Sequence, residues 1–436
     1  MPRLSKVISK KLNGIGKNAL VSNTIWSFGA KLSAMVFYFI ADIFYARILG
    51  VEKYAEWAFF FAIANMAFYI GWFGINLSAK VHISKSKEKE KCLGAALQVR
   101  VVFSVIISFE ILLLADTIAE RTGYPKPYEN LRSLMYLMAG MVFFNSFTEF
   151  FKHLYIGIQE YKKLFVITTM EYLSYCLFGI IFLLMYNNAV SIALGYCMAG
   201  LAILVCNILM TVRKCDLKTV WNGIKDITLQ KDILKYALPM VLTSIGGLIL
   251  TEMDTFMLGL MSSKEQVAVY SISKQIVSKS THINMAIWTG TVTSLAMITK
   301  DNLEDKKRQF KKVSRINAGV SLAVCLCFLL FGKIAIHIIY GDDYSTASLL
   351  LVTLIPYQFL HCVSSLNANF LDFMGHARNR AIWYLSVIFI NLTLNWLLIP
   401  MYGAKGAAVA TSLSLVPYTI YCLYDVRNIF RNMSKW

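Results

Sequence analysis

Charge is scarce in this chain. Of its 436 residues only 16% are charged while 57% are hydrophobic, and the mean hydropathy is +0.57. A soluble domain carries about 25% charged and about 45–50% apolar residues, so no aqueous surface matches this excess. The composition belongs in a bilayer. Proline is scarcer still, with 7 residues beside 24 glycines, which excludes fibrous and low-complexity sequence. Metal-ligand spacing is missing too. The six histidines form no i, i+4 pair, and Cys325 and Cys327 stand two apart, so on a helix they point to different sides. The nine cysteines make no disulfide framework, because none falls in a segment read as external. Acids are outnumbered, 25 against 43 Lys and Arg, for a formal charge of +18.

A spanning helix needs roughly 20 mostly apolar residues. Twelve such stretches are legible, at about 20–46, 54–79, 93–119, 131–157, 164–186, 189–212, 236–260, 266–299, 313–339, 345–371, 381–400 and 404–424. The first is too long and too polar at its centre for a cleavable signal and reads as a retained helix. With the N-terminus in the cytoplasm, the inner segments hold 31 Lys and Arg and the outer segments 7. That bias predicts both termini inside and an even number of spans. The positive charge is then a topology signal and gives no reason to expect nucleic acid.

The chain also repeats itself. IADIFYARILG from Ile40 resembles TEMDTFMLGLM from Thr251, with Asp42 over Asp254, and Lys162 later falls over Arg378. Offsets of 212 to 216 residues predict two homologous six-helix halves, 1–212 and 236–436, joined by a basic cytoplasmic linker at 213–235. Each half enters from the same side, so the repeat is parallel, and a central cavity between the halves is the expected transporter geometry. The predicted fold class is an all-α polytopic membrane protein of about twelve transmembrane helices.

Each charge at the bilayer centre costs at least about 2.5–3.5 kcal/mol unless paired or hydrated. Lys31 sits mid-span near Trp26, Ser27 and Ser33. In the eighth stretch Lys274, Ser278 and His282 share one helix face, with Ser271, Gln275 and Lys279 on the next. These residues, with Arg100, are candidates to line a hydrated cavity or to pack between helices. Asp42, Glu110, Glu252 and Asp254 are candidate coupling or gating carboxylates. Asp42 and Asp254 can each meet a cation during gating, bind H⁺ or Na⁺, or neutralise a neighbour such as Arg47. Asn391 and Asn395 are i, i+4 neighbours able to bond to another helix. Pro400 is expected to end one helix before a turn at Gly403 and Gly406.

LNWLLIPMYGAKGAAVATSLS from Leu394, IIYGDDYSTASLLL from Ile338, LPMVLTSIGGLILTEMDTFMLG from Leu238 and ARILGVEKYAEWA from Ala46 resemble segments of the polysaccharide flippases of the multidrug/oligosaccharidyl-lipid/polysaccharide exporter superfamily. Twelve spans match the O-antigen and capsule type, without the two additional helices of lipid II flippases. The resemblance implies a transporter, not an enzyme, in a bacterial inner membrane. Its expected substrate is an undecaprenyl-diphosphate-linked oligosaccharide, moved outward by alternating access, with H⁺ or Na⁺ as candidate coupling ion and no other cofactor. Membrane lipids and other polysaccharide-assembly membrane proteins are the expected partners. Lys31, Arg100, Lys274 and Lys279 would then neutralise the diphosphate. A cation-coupled multidrug or metabolite exporter remains open. A membrane glycosyltransferase or polymerase is disfavoured, because Asp342 and Asp343 at an outer turn lack a surrounding domain.

Overall fold

The computed structural model describes residues 2–123, 128–213, 215–289 and 302–433, and among these no strand occurs. The helices are α1 (Pro2–Trp72), α2 (Ile75–Lys85), α3 (Lys89–Gly123), α4 (Leu131–Gly157), α5 (Tyr161–Tyr186), α6 (Ala189–Val212), α7 (Leu217–Lys225), α8 (Ile227–Met261), α9 (Lys264–Thr289), α10 (Leu303–Tyr340), α11 (Ala347–Thr353), α12 (Ile355–Phe373), α13 (Ala377–Tyr402) and α14 (Ala404–Met433). A 3₁₀ turn at Asp342–Tyr344 precedes α11.

Among the described residues, eight helical segments are long and apolar enough to cross a membrane, or nine if α11 and α12 count as one bent span. Twelve were expected; side chains at 239–240 and 242–250 in the 236–260 stretch lie outside the described residues, and three other stretches differ for physical reasons. The first two stretches are one helical run, broken in backbone conformation at Gly50 alone (φ 69°, ψ 176°). A left-handed φ is open to glycine without a Cβ clash, so a bend replaces the expected loop. Helix α9 carries Ser271, Lys274, Gln275, Ser278 and Lys279 along its middle and falls short on hydropathy. The span expected at 345–371 breaks by 47° around Leu354. Pro356, in the first turn of α12, has no N–H to continue the ladder from α11. Pro400 proves gentler than expected, since α13 runs on to Tyr402. The part of the 266–299 stretch from residue 290 onward lies outside the described residues.

Two compact units emerge. The first comprises residues 1–49 and 64–245, and the second 50–63 and 246–436. Both α1 and α8 therefore serve two units, changing at Gly50 and after Ile245. In the first unit, Phe150, Leu154, Tyr155, Ile167, Ile83 and Ala95 form one core. There α7 lies against α3 so closely that a Cβ at Gly94 would sit 2.0 Å from the Val220 carbonyl oxygen. In the second unit Phe310, Phe370 and Phe430 form the centre of another core, with Phe310 and Phe370 centroids 4.6 Å apart. Phe59 from the α1 insertion stacks on Phe256 at 6.1 Å.

Candidate functional site

Four helices of the second unit converge on Asp254, whose side chain is 1% exposed. Its Oδ2 accepts hydrogen bonds from Tyr270 Oη at 2.9 Å on α9 and Thr411 Oγ1 at 2.8 Å on α14. Its Oδ1 accepts from Asn395 Nδ2 at 2.6 Å on α13. The same amide nitrogen bonds Asn391 Oδ1 at 3.1 Å, so the i, i+4 pair does bond to another helix. Among the described residues no cation lies within 4.0 Å of this carboxylate. A buried carboxylate held by neutral donors alone keeps a negative charge that a small cation can neutralise.

The donor set fits the candidate coupling ions. A carboxylate, a threonine hydroxyl and the Asn395 Oδ1, which is buried without a hydrogen-bond partner, are hard oxygen groups. They suit Na⁺, and the carboxylate alone suits H⁺. Lys274 borders the cluster: its Nζ donates to Thr255 Oγ1 at 3.2 Å and lies 5.9 Å from the Tyr270 ring centroid. The structure thus brings together Asp254 and Lys274, two of the residues singled out in the sequence. It adds Tyr270 and Thr411, which carry no signal in the sequence because an uncharged hydroxyl is unremarkable in a span.

The remaining candidates are dispersed. On α9, Ser278 and His282 are exposed while Lys279 is half-buried, and Glu252 on α8 is half-buried. In the first unit, Lys31 is exposed on α1, with no ion pair or hydrogen bond among the described residues. Two residues on, Ser33 Oγ lies 2.8 Å from Thr169 Oγ1, which ties that turn to α5. Asp42 is 4% exposed, close to Tyr45 and Tyr196. Glu110 is exposed on α3.

Arg100 is fully buried and committed to its own chain. Its Nη2 donates to Gly71 O at 2.5 Å and its Nη1 to Trp72 O at 3.3 Å and Asn76 Oδ1 at 3.4 Å, while Nε reaches Ser104 Oγ at 3.0 Å. These carbonyls border the break between α1 and α2, where Phe73 and Gly74 have positive φ. A helix end in a membrane must find partners for its last carbonyls, and this guanidinium supplies them.

The sequence profile of a family described as polysaccharide biosynthesis protein matches residues 20–293, and that of the MatE family matches residues 239–397. A candidate low-salt glycan biosynthesis flippase of Haloferax volcanii is 24% identical over 194 residues, covering 44% of this chain and 40% of that relative. The match therefore spans well under half of the archaeal relative's length. A candidate O-antigen transporter of Shigella flexneri is 23% identical over 419 residues, 91% of this chain and 95% of its own. Two solved structures share the fold. A multidrug resistance transporter of the MATE family superposes with TM-score 0.75 at 14% identity, covering 94% of this chain and 99% of its own. A lipid II flippase superposes with TM-score 0.71 at 16% identity, covering 95% and 90%.

Proposed function

We propose that this chain, which belongs to the polysaccharide biosynthesis protein family, is a flippase that carries a diphosphate-linked oligosaccharide lipid from the inner to the outer leaflet by alternating access. The supporting observation is Lys31, an exposed lysine with no counter-charge among the described residues, set mid-span in α1 between the apolar stretches on either side of it. A lone ammonium on a span is costly unless water or an anionic ligand meets it, and a diphosphate headgroup is such a ligand. Lys274 and Lys279 complete the proposed cation set. Arg100 is left out because its donors already serve the backbone. The sugar would take hydroxyl and amide contacts, among them Ser278 and His282, and the polyprenyl tail would stay in lipid. Moving negative charge outward across an inside-negative membrane is favourable by about 2.3 kcal/mol per charge per 100 mV.

Asp254 is the proposed coupling carboxylate, binding H⁺ or Na⁺ and giving it up when its four helices rearrange. Asp42, aligned with it in the repeat, is the corresponding carboxylate of the first unit. Glu110 and Glu252 have no such enclosure and are weaker gating groups. The proposed topology keeps twelve spans in an inner membrane, both ends cytoplasmic, with 213–235 as the inner linker. Reporter fusions after residue 52 then report outside and after 222 inside.

The test neutralises Lys31, Lys274 and Lys279 together as Gln and measures glycan export beside membrane abundance. Export falling at unchanged abundance is expected, and normal export at normal abundance refutes the site. A second reading, a cation-coupled exporter of small molecules, draws on the Asp254 cluster. It predicts instead that export of organic cations depends on Asp254 and not on the lysines.

A further inference from the structure

Beyond the Asp254 site, the first unit gathers three charged side chains between α4 and α5. Lys152 Nζ on α4 lies 2.6 Å from Glu149 Oε1 one turn earlier and 2.5 Å from Glu171 Oε2 on α5. Glu171 is 1% exposed and Lys152 8%. Glu149 stands about 12 Å from the end of α4 and Glu171 about 15 Å from the start of α5; each helix is about 40 Å long, so both fall within a hydrocarbon core of about 30 Å centred on it. One ammonium faces two carboxylates.

A fully buried carboxylate keeps its charge by accepting several hydrogen bonds. Glu171 has none to spare: its only polar contact among the described residues is the ammonium that Glu149 also engages. Among the described residues no second lysine or arginine lies within 4.0 Å of either carboxylate, and His153 Nδ1 comes to 4.0 Å of Glu149 Oε2 while making its hydrogen bond to Glu149 O. The facing groups are His153 on α4, whose Nδ1 is occupied by Glu149 O at 2.9 Å, Tyr172 and Tyr175 on α5, Tyr69 on α1, Tyr196 on α6 and Lys80 on α2. Of these, Lys80 acts on His153, and neither it nor His153 reaches Glu171. Lys152 also lies 5.5 Å from the Tyr172 ring centroid, so the ring face steadies the ammonium and leaves the carboxylates unbalanced.

We infer that Glu149, Lys152 and Glu171 form a proton-binding site in the first unit, in which the two carboxyl groups share one proton and Lys152 is the fixed counter-charge. The protonated cluster is neutral. When it opens to water, the O–H bond breaks and the proton passes to water, leaving both carboxylates ionised around Lys152. The site belongs wholly to one unit and is independent of what the protein transports.

The test is infrared spectroscopy of the purified full-length protein at neutral pH, with ¹³C-labelled glutamate to separate these groups from aspartate. A protonated glutamic acid carbonyl band is expected, and Glu171→Gln and Glu149→Gln should each remove about one carboxyl's share of it. Either variant leaves one Glu–Lys pair, so membrane abundance stays near that of the unaltered protein. Replacing both leaves Lys152 buried without a counter-charge, and abundance should drop several-fold. A labelled, unaltered protein with no such band overturns the inference, whether or not the variants accumulate. So does a band that both accumulated single variants retain in full.

Discussion

Replacing Asp254 separates charge from shape. Asp254→Asn keeps the volume and lets the Tyr270 and Thr411 hydroxyls reorient, whereas Asp254→Ala removes every acceptor. Interhelical hydrogen bonds in membrane proteins average about 0.6 kcal/mol and reach about 1.7, so three of them contribute about 2–5 kcal/mol. Two donors have fallbacks: the single Thr411 hydroxyl proton can turn to Ala407 O at 2.8 Å, and Asn395 bonds Asn391 Oδ1 at 3.1 Å. Only Tyr270 loses its main acceptor, with Thr411 Oγ1 at 3.4 Å as the remaining contact. Asp254→Ala should therefore destabilise by about 2–3 kcal/mol, the low end of that range. Asp254→Asn should cost about 1 kcal/mol, because one mismatched amide hydrogen replaces an acceptor. Thermal unfolding in detergent reads these differences, and glycan export per folded molecule reads the function. The expected result is near-normal abundance for Asp254→Asn with export reduced at least tenfold. Full export by Asp254→Asn would refute the coupling role. Equal destabilisation by Asn and Ala would refute the packing argument.

Three other outcomes are expected. Arg100→Gln should lower membrane abundance several-fold with export per folded molecule unchanged, because it uncovers carbonyls at the break after α1; a selective export defect would return Arg100 to the substrate. Gly94→Ala should displace α7 at a cost of about 1–3 kcal/mol, since the new Cβ overlaps the Val220 carbonyl, and labelling of half-buried Cys215 by a thiol reagent should speed up. The Leu229 amide N–H at 3.0 Å and then Lys91 at 2.9 Å hold the Asp226 carboxyl below its usual range. Because the folded value is depressed, this stabilisation is present above about pH 4, the ordinary carboxylate value, and is lost as pH falls through the folded value. Hydrogen exchange at the α7–α8 junction should accelerate there, and Asp226→Asn should remove the pH dependence.

The sequence showed most where a single physical rule governs. Spans 131–157 and 189–212 coincide with α4 and α6, because apolar length and a terminal glycine or asparagine leave few alternatives. Asn188 illustrates this, its side chain accepting from Ser191 N at 2.8 Å to start α6. Where two rules compete, sequence reasoning failed. Residues 47–53 look like a loop by charge, yet the bend is absorbed at Gly50 within a helix. Lys152 counts as a cytoplasmic cation by position, yet it turns inward to meet Glu149 and Glu171, and Glu149 is not singled out in the sequence. Arg100 resembles a substrate cation until the unpaired carbonyls at Gly71 and Trp72 are seen, and those depend on a break that the sequence marks only with Phe73-Gly74. Asp254 and Lys274 were legible because charge in a span is rare. Their hydroxyl and amide partners were not, because such groups occur throughout spans.

The central claim is that the protein moves an anionic, diphosphate-linked glycan. The direct measurement reconstitutes the purified chain in vesicles holding a fluorescent undecaprenyl-diphosphate oligosaccharide and follows its loss from one leaflet with a membrane-impermeant quencher. The unaltered protein should translocate it, faster when the potential draws negative charge in the direction of transport, and the Lys31→Gln/Lys274→Gln variant should be at least tenfold slower at equal reconstitution. Failure of the unaltered protein to move this lipid, while it moves an organic cation in the same vesicles, would contradict the claim.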